Sequence, residues 1–211
     1  MIVYLHGFRS SPQSFKARLL AARLSELERG DEWLCPALPV SPKEAVERVE
    51  RDVAAKLAAN RAGGFAEKPA EKPAEKGQAD ERVTLIGSSL GGFFATWLAE
   101  KHGWRAVLLN PAVVPDRDLS KYLGEQPLWH GGGSIVVEPR HLDELRALAV
   151  ATVTQPARYY LIAATGDEVL DYREMLAHYP GAATHLIEGS DHGISEFADY
   201  VDEVLRFCDA P

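Results

Sequence analysis

"LIGSSLGGFFATW", residues 85–97, sets Ser88 and Ser89 side by side among Gly87, Gly91 and Gly92. A strand that ends in such a loop and turns into a helix can cradle a phosphate, hold a nucleophile or make a plain turn. The phosphate reading fails at the next two residues. Gly87 to Gly92 supplies the glycine half of a P-loop, but Phe93 and Phe94 stand where a lysine and a hydroxyl residue are required. The dinucleotide fingerprint fails as well, because Ser89 occupies the place of its second glycine. A nucleophile elbow fits. In that strained strand-to-helix turn, the residues two before and two after the nucleophile approach too closely to carry large side chains. Ser89 has Gly87 and Gly91 at those places; Ser88 has Ile86 and Leu90. Ser89 is therefore the candidate nucleophile, and Ser88 a neighbour that hydrogen-bonds locally.

A serine hydroxyl needs a base near neutral pH, and the base needs an orienting acid. On this kind of elbow the chain order is Ser, acid, His. Of the seven histidines, His102 and His178 lie near helix ends, His185 in a strand, and His130 and His141 in an irregular middle region. His6 closes the first strand and reads as a structural turn residue. His192 sits in the Gly-flanked loop "EGSDHG" between the last strand and the last helix, which makes it the candidate base. The acid is expected after the preceding strand, "LIAATG", where Asp167 follows at once; Asp171 and Asp191 are the runners-up. Asn110, at an earlier strand end, cannot stabilise an imidazolium as a carboxylate does and reads as a loop brace. A developing oxyanion needs two aligned N–H donors. The amide of Leu90, after the nucleophile, and that of Phe8, after the first strand, are the expected pair.

Around these residues, strands alternate with helices. Ile2–Leu5 reads as a buried strand. Ser11-Pro12 signals a helix start, with Phe15, Leu19, Ala22 and Leu27 at helical spacing and Gly30 as the stop. Residues 32–37 form a weak strand. Ser41-Pro42 opens a second helix carrying Ala45, Val49, Val53 and Leu57. Strands follow at 82–87, 106–109, 159–164 and 184–187, and helices at 89–102, 141–150, 172–178 and 194–207, while 112–138 is irregular. This order predicts an α/β fold of about six mostly parallel strands with helices on both faces. Ligands bind such sheets beyond the carboxyl ends of the strands, where "HGF", "GSSLGG", "TGDEVLD" and "SDHG" all fall. Residues 66–77, "AEKPAEKPAEKG", repeat a charged, Pro-broken tetrad that cannot bury enough surface to order itself. They predict a low-complexity surface insertion at about 62–80 within a single domain spanning residues 1–211.

The formal charge of −8 disfavours nucleic acid as a partner. The N-terminus, "MIVYLHGF", has neither a basic region nor a long apolar run, and nothing reaches the roughly 18 apolar residues of a membrane span. A soluble, cytoplasmic protein is expected. Cys35 and Cys208, far apart in sequence, read as reduced buried thiols. No His pair has metal-ligand spacing, so no metal or other cofactor is expected.

The segments "YLHGFRSSPQSFKA", "LIGSSLGGFFATWLAEKHG", "LLNPAV", "TGDEVLDYRE" and "EGSDHG" together resemble the small bacterial YqiA-type esterases of the α/β-hydrolase superfamily. The likeness covers most of the chain and lapses at the AEKP repeat and the irregular middle. It implies a Ser-Asp-His esterase of carboxylic esters, with acyl-CoA thioesters among the substrates considered, and its motifs fall on Ser89, Asp167 and His192. It also implies a sheet lacking the leading antiparallel strand pair of larger hydrolases. Residues 112–138, with Tyr122, Leu128 and Trp129, are expected to roof an acyl slot narrowed by Phe8 and Phe93. Arg9 is expected either to meet an anionic leaving group such as the phosphates of coenzyme A or to lie solvated at the surface. The partner is then a small-molecule acyl ester, with the oligomeric state open. Two other readings remain: a peptidase or acyltransferase using the same residues, and a non-catalytic binding protein of the same fold.

Overall fold

Two faces of apolar side chains alternate along the strands, so both faces of the sheet must be covered. In β1 (Ile2–Leu5), Val3 and Leu5 join one buried cluster, while Ile2 and Tyr4 join the other. The computed structural model describes residues 1–63, 82–129 and 131–210. In chain order it has α1 (Phe15–Glu26), β2 (Trp33–Leu34), α2 (Pro42–Gly63), β3 (Thr84–Ser88), α3 (Leu90–His102), β4 (Arg105–Leu109) and α4 (Pro115–Leu119). Then come β5 (Gly124–Pro127), β6 (Ser134–Val137), α5 (Pro139–Ala147), β7 (Tyr159–Ala164), α6 (Tyr172–His178), β8 (Ala183–Ile187) and α7 (Val201–Asp209).

The main sheet runs β2-β1-β3-β4-β7-β8, and every pairing in it is parallel. This is the expected α/β-hydrolase core, and no antiparallel strand joins it among the described residues. α1 and α7 cover one face through Ala17, Leu20, Leu24, Val201, Val204 and Leu205. α2, α3, α5 and α6 cover the other through residues such as Val49, Val53, Leu98, Leu145 and Met175. Strand order reverses between β1 and β3, which opens a crevice at their carboxyl ends.

The second helix starts as its sequence signals. Ser41 Oγ accepts from the Glu44 N–H at 3.2 Å, and Ala45, Val49 and Val53 are buried. The first helix departs from expectation. Ser11 Oγ accepts from Gln13 N–H, and the Ser14 N–H bonds back to Ser11 O. These residues make a turn, and the helix begins only at Phe15. Its buried stripe is Ala17, Leu20 and Leu24, while Phe15 and Leu27 stay 44% and 42% exposed. The run Leu19–Ala22 is apolar all round, so contact with the sheet rather than periodicity selects the row. The strand expected at 32–37 shrinks to β2, after a short 3₁₀ turn at Gly30–Glu32.

The described residues of the stretch expected to be irregular form regular elements: α4 leads through a 3₁₀ turn (Ser120–Tyr122) into β5, which pairs antiparallel with β6. Gly124 and Pro127, poor strand formers, masked β5, whereas β6 carries a strand signal in Ile135, Val136 and Val137 that the sequence reading passed over. The closing helix forms in two parts, a 3₁₀ turn (Phe197–Tyr200) and α7, with the expected residues buried. Cys35 and Cys208 are free thiols, and burial pushes both pKa values up to about 12. Of the insertion expected at about 62–80, residues 62 and 63 end α2 and the rest lie outside the described residues, as does His130. Among the described residues no helix is long and apolar enough to cross a membrane.

Candidate active site

Ser89 sits between β3 and α3 with φ 55° and ψ −120°, a left-handed backbone that a non-glycine residue holds only when its surroundings enforce it. They do so here. The Ser89 N–H donates to Leu109 O at 3.0 Å, and Ser89 O accepts from Gly92 N–H at 2.9 Å and Ala112 N–H at 3.0 Å. The glycine requirement is steric. A Cβ on Gly87 would lie 2.3 Å from Gly91 O, and one on Gly91 would lie 2.0 Å from Leu5 O. The β1 loop is equally close, since a Cβ on Gly7 would come within 3.2 Å of Ser89 Cβ. Ser88 is the buried last residue of β3 and lines the same cavity as Tyr4, whose burial keeps the phenol protonated.

The structure brings His192 and Asp167 to Ser89. His192 Nε2 lies 3.1 Å from Ser89 Oγ, and His192 Nδ1 lies 2.8 Å from Asp167 Oδ2. The Asp167 side chain is 0% exposed, and its Oδ1 accepts from the Val169 and Leu170 N–H groups, each at 2.8 Å. An ionised carboxylate can only accept, so Nδ1 carries the proton and the Nε2 lone pair faces the serine. Both runners-up are engaged elsewhere. Asp171 caps α6, accepting from Arg173 N–H at 2.9 Å. Asp191 accepts from Ser195 N–H and Oγ–H, at 3.0 and 2.5 Å.

Two residues read as structural serve the same loops. Asn110 is fully buried; its Nδ2 donates to Asp191 O and His192 O, each at 3.1 Å, and its Oδ1 accepts from Ala164 N–H at 2.8 Å. It thereby ties β4, β7 and the His192 loop together. His6 accepts from Leu38 N–H at Nε2 and donates from Nδ1 to Gly7 O. Burial lowers its pKa, favouring the neutral ring that these two bonds require.

Ser89 and His192 open into a cavity of about 620 Å³, within the usual range for a small-molecule site. Phe8, Leu90, Leu119, Tyr122, Val169 and Leu170 make much of its wall, and the rings of Phe8 and Tyr122 meet at a tilt with centroids 5.5 Å apart. The N–H groups of Phe8 and Leu90 donate to no group among the described residues. Phe93 does not line this cavity. It is 5% exposed in the core, edge-on to Phe94, one helical turn further along α3 than Leu90, which does line the cavity. Arg9 and Trp129 both line the cavity, but they hold each other. The guanidinium lies 4.1 Å from the indole centroid, Arg9 Nε donates to Pro127 O, and Trp129 N–H donates to Arg9 O. Arg9 therefore fastens the hairpin to the β1 loop, and Trp129 remains 64% exposed at the rim.

Two contributors escaped the sequence reading. Glu168 Oε2 accepts the His192 N–H at 3.0 Å; its carboxylate carries no signal that sets it apart from other loop acids. Lys16, in the first turn of α1, is buried at the cavity wall and donates from Nζ to Gly193 O at 2.5 Å. A signal for it did exist, since a cation at a helix N-terminus opposes the helix dipole.

The model of an uncharacterised protein family, UPF0227, matches residues 1–63 and 68–209. Solved structures similar to this chain include Est1E from Butyrivibrio proteoclasticus with ferulic acid bound, at 14% identity and TM-score 0.63, covering 97% of this chain and 87% of that one. Tomato methylketone synthase I complexed with 2-tridecanone is similar at 13% identity and TM-score 0.64, over 99% of this chain and 97% of that one. Mouse alpha/beta hydrolase domain-containing protein 10 is similar at 16% identity and TM-score 0.60, over 97% and 89%. At these identities the likeness is one of fold.

Proposed function

The chain belongs to the YqiA-like family UPF0227, and we propose that it is a serine esterase cleaving carboxylic esters through an acyl-enzyme. The observation that supports this reading is the continuous hydrogen-bonded line Ser89 Oγ–His192 Nε2, His192 Nδ1–Asp167 Oδ2, at 3.1 and 2.8 Å, beneath an open cavity. Ser89 Oγ attacks the ester carbonyl carbon as its proton passes to His192 Nε2. The carbonyl oxygen takes up the negative charge, facing the amides of Phe8 and Leu90. When the tetrahedral species collapses, the alkoxide leaves with the proton from Nε2. Water then gives its proton to Nε2, attacks the acyl carbon and releases the acid, and Ser89 recovers its proton. Asp167 orients the ring and stabilises the imidazolium formed in each half.

The apolar wall suits an acyl chain. Each buried methylene contributes about 0.8 kcal/mol, so kcat/KM on p-nitrophenyl esters rises with acyl length until the cavity is full. Acyl-CoA thioesters are slower substrates on this reading, because Arg9 is already bonded to Pro127 O and stacked on Trp129. The test is labelling by a fluorophosphonate, with a parallel series of esters, acyl-CoAs and aminoacyl anilides. Wild type labels at Ser89, and Ser89→Ala loses label and roughly 10⁴ or more in kcat, while Ser88→Ala loses far less. Anilide turnover above ester turnover would make the chain a peptidase. No Ser89-dependent turnover or label would make it a binding protein of hydrolase fold.

A further inference from the structure

The proposed reaction makes no use of Lys16, although Lys16 stands where two physical terms oppose it. It is the second residue of α1, where the helix dipole already concentrates positive charge. It is also only 8% exposed, where an ammonium loses most of its hydration. Packing of α1 does not call for it, since Ala17, Leu20 and Leu24 make that contact. What holds the ammonium is the bond to Gly193 O at 2.5 Å, together with the charges of Asp191 and Asp167. Gly193 is the residue after His192.

We propose that Lys16 is a positioning residue for His192, its ammonium clamping the Gly193 carbonyl so that the imidazole stays against Ser89. This inference rests on the esterase reading above. The His192 loop is gripped at four main-chain groups between the carbonyls of Asp191 and Gly193. Asn110 takes the carbonyls of Asp191 and His192, Glu168 takes the His192 N–H, and Lys16 takes the carbonyl of Gly193. The Asn110 grips are neutral and do not titrate. Lys16 does titrate, because burial brings its pKa down to about 8 against the opposing pull of Asp191 and Asp167. The other ionisable groups around the cavity are Tyr4, Arg9, Asp118, Lys121, Tyr122 and His192. Of these, Tyr4 is held protonated by burial. Once Lys16 loses its proton, a charge-assisted bond becomes an ordinary amine–carbonyl bond, which is weaker. The loop is then held less firmly over Ser89, and kcat falls while acyl binding does not.

The experiment measures kcat and KM on a short-chain p-nitrophenyl ester across about pH 6 to 10, with Ser89→Ala subtracted as blank. Wild type is expected to lose kcat with an alkaline limb near pH 8. Lys16→Met lowers kcat at neutral pH by about tenfold or more, keeps KM within about twofold, and has no such limb. Lys16→Arg retains charge and donor without titrating in this range, so it keeps most of the neutral-pH kcat and its limb moves upward. An unchanged kcat in Lys16→Met overturns the proposal. So does a KM rise confined to anionic esters, which would make Lys16 a ligand for the substrate. An alkaline limb left in place by Lys16→Arg overturns it equally, and that arm decides the matter if Lys16→Met fails to fold. Absence of Ser89-dependent turnover in wild type is a different result: it removes the esterase reading itself, and this inference with it.

Discussion

Replacing Asp167 by asparagine alters a single atom, and the surrounding hydrogen bonds dictate the consequence. Oδ1 of residue 167 accepts two main-chain N–H groups, from Val169 and Leu170, each at 2.8 Å. An asparagine must keep its oxygen there. Turning its NH₂ toward two N–H donors would forfeit both bonds and strand both donors, a cost of at least about 2 kcal/mol, or roughly 30-fold in population. The NH₂ therefore faces His192 Nδ1, which has to accept. The imidazole proton moves to Nε2 and points at Ser89 Oγ, 3.1 Å away, so the serine loses its base. The expected loss is about 10⁴ in kcat, equivalent to about 5.4 kcal/mol in the barrier, with KM little changed. The steric frame survives, and weakening of one charged bond lowers stability by about 1–2 kcal/mol, or roughly 2–8 °C in Tm. Nitrophenol release at saturating ester, with near-UV circular dichroism to certify the fold, gives the answer. Asp171→Asn is the control; it keeps a good N-cap on α6 and stays near wild-type rate. A natively folded Asp167→Asn protein within tenfold of wild type would refute the assignment of the acid.

Three further outcomes follow from the same structure. Gly91→Ala drives a Cβ to 2.0 Å from Leu5 O; backbone cannot yield there cheaply, so thermal unfolding should show a loss of several kcal/mol and fluorophosphonate labelling should vanish. Asn110→Asp sets a carboxylate oxygen against the carbonyls of Asp191 and His192 in place of the donor now 3.1 Å from each; urea unfolding should register a loss of about 3 kcal/mol or more, against far less for an exposed Asn. The third concerns stability against pH. Lys16 has its folded pKa lowered from 10.5 to about 8, so between those values the unfolded chain binds more protons and stability rises with pH. Relative to Lys16→Met, wild type should gain up to about 3 kcal/mol across that window, measured by urea unfolding at pH 7.5 and 10.5, while its activity declines; a flat difference would place the lysine in water.

The departures from the sequence reading share one cause. Phe93 was expected to narrow the acyl slot, yet it lies one helical turn beyond Leu90 on the same side of α3, so Leu90 meets the cavity at the start of the helix while Phe93 packs in the core. Arg9 was expected to meet an anion or to lie solvated at the surface, but it has a partner in Pro127 O, 118 residues away. The hairpin that brings Pro127 there has a strand signal in Ile135, Val136 and Val137 but none in the partner strand Gly124–Pro127, so no local pattern announces the pairing.

Local constraints were legible without coordinates. Buried parallel strands need unbroken apolar runs, and the elbow excludes side chains two places either side of Ser89, so composition and spacing alone determined the sheet, the elbow and the choice of Ser89 over Ser88. Chain order singled out His192 and preferred Asp167 among three acids. What only the tertiary structure decided is which of those acids faces the imidazole, and what holds the loops in place. Asp167 meets His192 while Asp171 turns to cap α6, and Asn110, Glu168 and Lys16 converge on the His192 loop from β4, the β7–α6 loop and α1. The contacts to His192 and its loop join residues 24 to 177 positions apart. Hydrogen bonds reach about 3 Å, and only the packing of α1, β4 and β7 on one sheet brings such distant groups within that reach.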